Sequence, residues 1–197
     1  MKRLGTVKRE TNETSVELEV NLDGQGNCQG QIPLGFLWHM LQLLARHSGL
    51  DLNVTASGDM HVDDHHLTED LGICLGQALA QAWGEKKGIE RYGSILLPMD
   101  EVLVAVAIDL GGRFAFHSDY APQRERVGDL STELISHFFR SLAAEARMNL
   151  HFKFLSPGEN EHHRIEAMFK GFARALKAAS AIDAKAPEAL PSTKGVL

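Results

Sequence analysis

The stretch His65-His66-Leu67-Thr68-Glu69 returns 97 residues later as His162-His163-Arg164-Ile165-Glu166. A second echo lies upstream of each copy. His39, in Gly35-Phe36-Leu37-Trp38-His39, is matched after 98 residues by His137, in Leu134-Ile135-Ser136-His137. The tracts that follow also agree in pattern, Ala45 to Val54 against Ala143 to Phe152. Features repeated in one order at one spacing mark an internal duplication.

Each half reads as strand–helix–strand–helix. Residues 15–22 alternate, with Val16, Leu18, Val20 and Leu22 on one face, and the turn signal Asp23-Gly24 closes that strand. Phe36, Leu37, Met40, Leu41, Leu43 and Leu44 give residues 36–47 the broad apolar face of a helix. A short strand is expected near Leu52-Asn53-Val54 and a long helix over 65–83. In the second half, residues 102–110 read as a buried strand with a hairpin at Gly111-Gly112. A helix over 132–146, an alternating strand from Met148 to Phe154, a break at Pro157-Gly158 and a helix over 161–180 follow. The expected fold class is α+β, built from duplicated β-α-β-α half-domains. Its divisions are 1–92, 93–180 and a C-terminal tail, 181–197.

On a helix, residues three and four apart share a face, so Glu69 neighbours His65 and His66, and Glu166 neighbours His162 and His163. Adjacent histidines diverge by about 100° around the axis and can serve two different ions. With His39 and His137 added, six imidazoles and two carboxylates suffice for two cations. Donors without thiolate suit Mn²⁺, Fe²⁺ or Zn²⁺, and eight ligands over two ions leave positions open for substrate. Asp63, Asp64 and Asp70 are expected to accept from imidazole N–H groups. His47, His61, His117 and His151 have no repeated counterpart and read as surface groups or neighbours of the site.

Composition narrows the classes. With 44% hydrophobic and 23% charged residues the chain is an ordinary globular one. A net charge of −6 disfavours nonspecific nucleic-acid binding, which needs an excess of Lys and Arg. The two cysteines, Cys28 and Cys74, make no disulfide framework and point to a reducing cytoplasm. Met1-Lys2-Arg3-Leu4 opens without the apolar run of a signal peptide, and no membrane span is expected.

Over nearly its whole length the chain resembles the imidazoleglycerol-phosphate dehydratase family. The first half carries Thr11-Asn12-Glu13-Thr14, Asn21-Leu22-Asp23-Gly24, His39-Met40-Leu41, Ala45-Arg46-His47, and Asp63 to Asp70. The second carries Arg91-Tyr92-Gly93, Pro98-Met99-Asp100-Glu101, His137-Phe138-Phe139, Asn160 to Ala167, Phe169 to Leu176, and Pro191-Ser192-Thr193-Lys194-Gly195. The resemblance implies a lyase that dehydrates imidazole glycerol phosphate to imidazole acetol phosphate in histidine biosynthesis. It implies two four-stranded sheets with packed helices, two Mn²⁺ per chain, and a homo-oligomer of 24 chains whose sites form between subunits. By the same resemblance the metal ligands are His39, His65, His66, Glu69, His137, His162, His163 and Glu166. The acid/base is Glu13, and the phosphate-binding groups are Arg91, Arg113, Lys170, Ser192 and Lys194. Lys170 is also placed to be the i+4 ion-pair partner of Glu166. Three positions depart from the family pattern: Trp38 where Asp is usual, Leu67 where a small residue is usual, and Phe114 where Pro often follows the arginine. Trp38 and the apolar helix faces read as exposed surfaces for association. The competing classes are another two-metal enzyme, such as a phosphoester hydrolase, and a noncatalytic metal-binding paralogue.

Overall fold

The computed structural model describes residues 3–195; residues 1–2 and 196–197, the ends of the first segment and of the tail, lie outside the described residues. In the first half, β1 (Leu4–Glu10), β2 (Thr14–Asn21), β3 (Cys28–Gln31) and β4 (Asp51–Gly58) form one sheet in the order β1-β2-β4-β3. Two helices accompany it, α1 (Gly35–Ser48) and α2 (His65–Trp83). The second half repeats the plan with β5 (Tyr92–Met99), β6 (Val102–Asp109), β7 (Ala115–Ser118) and β10 (Asn149–Ser156), ordered β5-β6-β10-β7. Its helices are α3 (Leu134–Glu145) and α4 (Glu161–Ala179), and a small hairpin, β8 (Arg126–Val127) with β9 (Leu130–Ser131), precedes α3. The two four-stranded sheets of an α+β fold are present.

Apart from the β8–β9 hairpin of the second half, each half runs β-β-β-α-β-α rather than β-α-β-α. The additional strands are edges, paired on one side only, so they need little apolar alternation. In β1 the charged run Lys8-Arg9-Glu10 masks the pattern, β3 is Cys-Gln-Gly-Gln, and β5 contains Pro98, which an edge strand tolerates. The connection through Gly111-Gly112 is not a hairpin. It carries the chain past β10 to the far edge, where β7 pairs with β10 in parallel. In the first half β3 pairs with β4 in the same way.

The core lies between the sheets. α2 packs on β1 and β2, α4 on β5 and β6, and the helical layers meet as α2 against α3 and α1 against α4. Residues on several sides of α2 are accordingly buried, including Leu67, Leu71, Cys74, Leu75, Ala78 and Leu79. A Cβ on Gly72 would stand 2.7 Å from the Phe138 carbonyl oxygen, and one on Gly76 2.4 Å from that of Leu142, so bare backbone lets α3 approach. Phe139 sits amid Phe152, Phe169 and Phe172 at ring separations of 4.8, 4.7 and 5.4 Å. Burying each such ring contributes about 1.5–3 kcal/mol. Trp38 is partly buried against this core rather than exposed, because the α1 face it occupies turns toward packed neighbours.

Candidate metal centre

Both histidine pairs sit in the first turn of a helix, and both helices start in the same way. The Asp63 carboxylate accepts from the His65 amide at 2.8 Å, and the Asn160 side-chain oxygen from the His162 amide at 2.9 Å. Such side-chain acceptors satisfy amides that lack partners within the helix and fix where it begins. The β8–β9 hairpin ties two of the site helices together. Asp129 accepts from the α1 amides of Gly35 and Phe36 at 2.5 and 3.0 Å. Ser131 donates through its amide and hydroxyl to Asp64, at the entry to α2, at 2.5 and 2.8 Å.

Two triads result. His39 from α1 meets His162 and Glu166 from α4, and His137 from α3 meets His65 and Glu69 from α2; within each triad the ligand atoms lie within 4.8 Å of one another. Glu166 Oε2 is 3.0 Å from His162 Nε2 and 4.0 Å from His39 Nε2. Glu69 is 3.1 Å from His137 Nε2 and 3.8 Å from His65 Nε2. His137 Nε2 is shielded from solvent and makes no hydrogen bond among the described residues, although Glu69 is near. A shielded imidazole nitrogen left unpaired beside a carboxylate costs free energy unless something binds both. Two imidazoles and a carboxylate are the donor set of a divalent transition metal, so the residues fit such an ion. Burial pushes the Glu166 carboxyl up, but Lys170 and His162 outweigh it and hold it below its ordinary value.

The second histidine of each pair turns away from its triad. His66 Nδ1 is 3.0 and 3.2 Å from the two Asp59 oxygens and 3.8 Å from Glu13. His163 Nδ1 donates to Glu101 at 2.9 Å, and its Nε2 is 3.7 Å from Asp100. The eight expected ligands therefore form two groups of three and two single histidines within one chain. The hydrogen bonds to Asp59 and Glu101 raise the pKa of His66 and His163. The bond from His163, with the Asn160 amide, lowers Glu101 to about 2.

Asp59 and Glu101 thus take the role expected of Asp63, Asp64 and Asp70. Asp63 is used by a backbone amide; Asp64 is buried against Ser131 and Arg126; Asp70 binds Arg9 and Thr14. None of these three accepts from an imidazole, because Asp63 is turned to the start of α2, Asp64 to the β8–β9 hairpin and Asp70 to the sheet beneath α2. A signal for Glu101 is present in the sequence, since it precedes the second half's central strand as Glu13 precedes the first's. His61, His117 and His151 are exposed, while burial, followed by Lys170, lowers the pKa of the half-buried His47. Leu67 is buried in the core, and Phe114 is 47% exposed.

The five expected phosphate-binding groups divide between two places. Lys170 Nζ pairs with Glu166 at 2.5 Å, beside the first triad. Arg91 is held by Asp109 at 2.7 and 3.2 Å and by the Pro191 carbonyl at 2.8 Å, which fastens the tail bearing Ser192 and Lys194. Its backbone amide donates to Ala179 at the end of α4, nine residues beyond Lys170, or about 13 Å along the helix. Arg113 and Lys194 are exposed. One chain alone does not gather these cations into a single cluster.

Comparison with known proteins agrees across the whole chain. The profile of the family described as imidazoleglycerol-phosphate dehydratase matches residues 32–176. The imidazoleglycerol-phosphate dehydratase of Rhodopseudomonas palustris (strain BisB5) is 51% identical over 99% of this chain and 98% of its own length. That of Roseiflexus sp. (strain RS-1) is 50% identical over the same shares. The crystal structure of imidazoleglycerol-phosphate dehydratase from Staphylococcus aureus subsp. aureus N315 superposes with a TM-score of 0.82 at 39% identity, covering 91% of this chain and 99% of that one. IGPD from Pyrococcus furiosus gives a TM-score of 0.80 at 34% identity, covering 97% and 100%. Among the described residues, no helix is long and apolar enough to cross a membrane.

Proposed function

The chain belongs to the imidazoleglycerol-phosphate dehydratase family, and from that premise we propose that its two His-His-Glu triads hold the cations that position the substrate's imidazole ring. The enzyme is a hydro-lyase of histidine biosynthesis that converts imidazole glycerol phosphate to imidazole acetol phosphate. The observation that carries the metal reading is the repetition of one donor set on two helix pairs, with the His137 nitrogen lacking a hydrogen bond.

Donor chemistry and resemblance favour two Mn²⁺ per chain. A divalent ion at each triad would supply Lewis acidity to the ring nitrogens and hold the ring in place. The remaining tasks fall to side chains. The reaction removes a hydroxyl from the carbon beside the ring and a poorly acidic proton from the next carbon. Glu13, 54% exposed and close to His66, is the carboxylate that carries that proton. Lys170, Arg91, Arg113, Ser192 and Lys194 anchor the phosphate and thereby orient the reacting carbons, the arginines as two-pronged donors.

Division of the ligands within one chain favours a site shared between subunits. His66 and His163 face away from the triads beside them, and the expected phosphate-binding residues are split between Lys170, midway along α4, and Arg91 with the tail, beyond its C-terminal end. A neighbouring chain that brings its own second histidine and basic tail would complete each site, consistent with an assembly of 24 copies. Two free cysteines suit a cytoplasmic enzyme.

The test is turnover by the purified, manganese-loaded protein with imidazole glycerol phosphate. The expected result is a keto product that keeps its phosphate ester. Release of inorganic phosphate would establish a phosphoester hydrolase instead, and absence of any product from fully loaded protein would establish a noncatalytic relative.

A further inference from the structure

Glu13 and Glu101 occupy the same position of the repeated unit. Each stands immediately before the central strand of its half, β2 or β6, and each faces the second histidine of its pair. The spacing between them, 88 residues, is also that from Gly5 to Gly93. At those two glycines the edge strand touches the Ala78 or the Ala175 carbonyl of the overlying helix. The two carboxylates nonetheless have different fates. Glu101 is fully engaged, accepting from His163 Nδ1 at 2.9 Å and from the Glu159 and Asn160 amides at 3.2 and 3.0 Å. Gly158, at a φ of +64°, leaves room for it, since a Cβ there would stand 2.7 Å from Glu101 Cγ. The Glu13 carboxylate accepts no hydrogen bond among the described residues and stays 3.8 Å from His66.

The residue that separates these fates is Asp59. It follows β4, its amide donates to the Glu13 carbonyl at 3.0 Å, and its carboxylate takes His66 Nδ1 with both oxygens. Its counterpart by sheet register is Gly158: past the bulge in β10 Ser156 pairs with Leu103, which puts Gly158 opposite Glu101 as Asp59 is opposite Glu13, and Gly158 has no side chain to compete. Two acidic side chains compete for one N–H in the first half, and the one at 3.0 Å excludes the one at 3.8 Å. In the second half Asp100 faces the other ring nitrogen of His163, Nε2 at 3.7 Å; no second carboxylate among the described residues takes Nδ1, and Glu101 closes on it.

We infer that Asp59 is a positioning residue: by occupying His66 it keeps Glu13 free to move a proton, whereas Glu101, without such a substitute, serves as a fixed holder of His163. The inference rests on the proposed role of Glu13, and it explains why a duplicated site needs only one proton carrier. A histidine's second nitrogen held by a carboxylate keeps the ring aimed at a metal, and loss of that holder commonly costs ten- to a hundredfold in affinity.

Manganese affinity, read by electron paramagnetic resonance titration, separates holding from proton transfer. Glu101→Ala should bind manganese ten- to a hundredfold more weakly. Asp59→Ala should change affinity less than threefold, because Glu13 swings onto His66, while turnover falls at least tenfold. Asp59→Ala combined with Glu13→Ala should lose affinity as Glu101→Ala does, although Glu13→Ala alone does not. Asp59→Asn, which keeps an acceptor for His66, should recover turnover relative to Asp59→Ala. Circular dichroism of each metal-free variant restricts the comparison to folded protein. A double variant that binds manganese like the parent overturns the inference, as does Asp59→Ala with undiminished turnover. Near-normal turnover by Glu13→Gln defeats the proton-carrier reading instead, and the affinity pattern tells the two failures apart.

Discussion

Replacing Gly76 by Ala sets two effects of opposite sign against each other. Helix propensity alone favours Ala over Gly by about 1 kcal/mol in a helix interior. The structure opposes this, because a Cβ at 76 would stand 2.4 Å from the Leu142 carbonyl oxygen and 2.8 Å from Glu145 Cβ. Ordinary contact begins near 3.4 Å, so α2 and α3 must part by about 1 Å, and the atoms in the way are largely backbone that no rotamer change can move. Overpacking of this kind typically costs about 1–3 kcal/mol. The cost should exceed the propensity gain, leaving a net loss of up to about 2 kcal/mol, or up to roughly 8 °C in Tm for a chain of this size. The same parting separates His137 from His65 and Glu69, so one of the two manganese ions should bind more weakly. The assay is thermal unfolding of the metal-free protein, followed by manganese titration calorimetry. A Tm equal to or above that of the parent would refute the close approach of these helices.

Other outcomes follow from the same structure. Asp129→Ala removes the acceptor at the start of α1 and should lower stability by about 1 kcal/mol, visible as a lower Tm; an unchanged Tm would mean that the cap contributes nothing. The His163 hydrogen bond and backbone amides hold Glu101 at about 2 against an ordinary 4.5, so its stabilisation is present above about pH 4.5 and lost as pH falls toward 2. Asp51, lowered by the Asn27 and Gln25 amides, acts in the same direction. The raised pKa values of His66 and His163 act oppositely, stabilising the metal-free chain at low pH and ceasing to do so as pH rises through their folded values. The Tm of the metal-free protein should therefore decline steeply below about pH 4.5, and a flat profile from pH 5 to 3 would contradict the assignment. Light scattering of the manganese-loaded protein should give a mass far above the 21.7 kDa of one chain, falling on chelation; a stable monomer with metal bound would exclude a shared site.

Legibility of the fold followed burial. The central strands β2 and β6 and all four helices announce themselves because one face of each must be apolar. The edge strands β1, β3, β5 and β7 pair on one side only, and their sequences carry no such demand. The triads were legible because a helix fixes which residues share a face, so His65 with Glu69 and His162 with Glu166 could be paired from spacing alone. That His66 and His163 turn to separate carboxylates was not legible. The contact of His66 with Asp59 depends on where β4 ends, and that of His163 with Glu101 on a Gly158 backbone that lets the acid in. The division of the basic residues was hidden for a similar reason. Arg91 and Lys170 are 79 positions apart in the chain, and only the path of α4 between them reveals the separation.

The most direct measurement is turnover of Glu13→Gln with its manganese content determined on the same sample. Glutamine keeps the shape of the side chain and cannot cycle a proton. Turnover should fall on the order of 10²–10⁴-fold while both manganese ions remain bound and substrate affinity hardly changes. Near-normal turnover at full manganese occupancy would contradict the assignment of proton transfer to Glu13 and return that task to a metal-bound water or to another side chain.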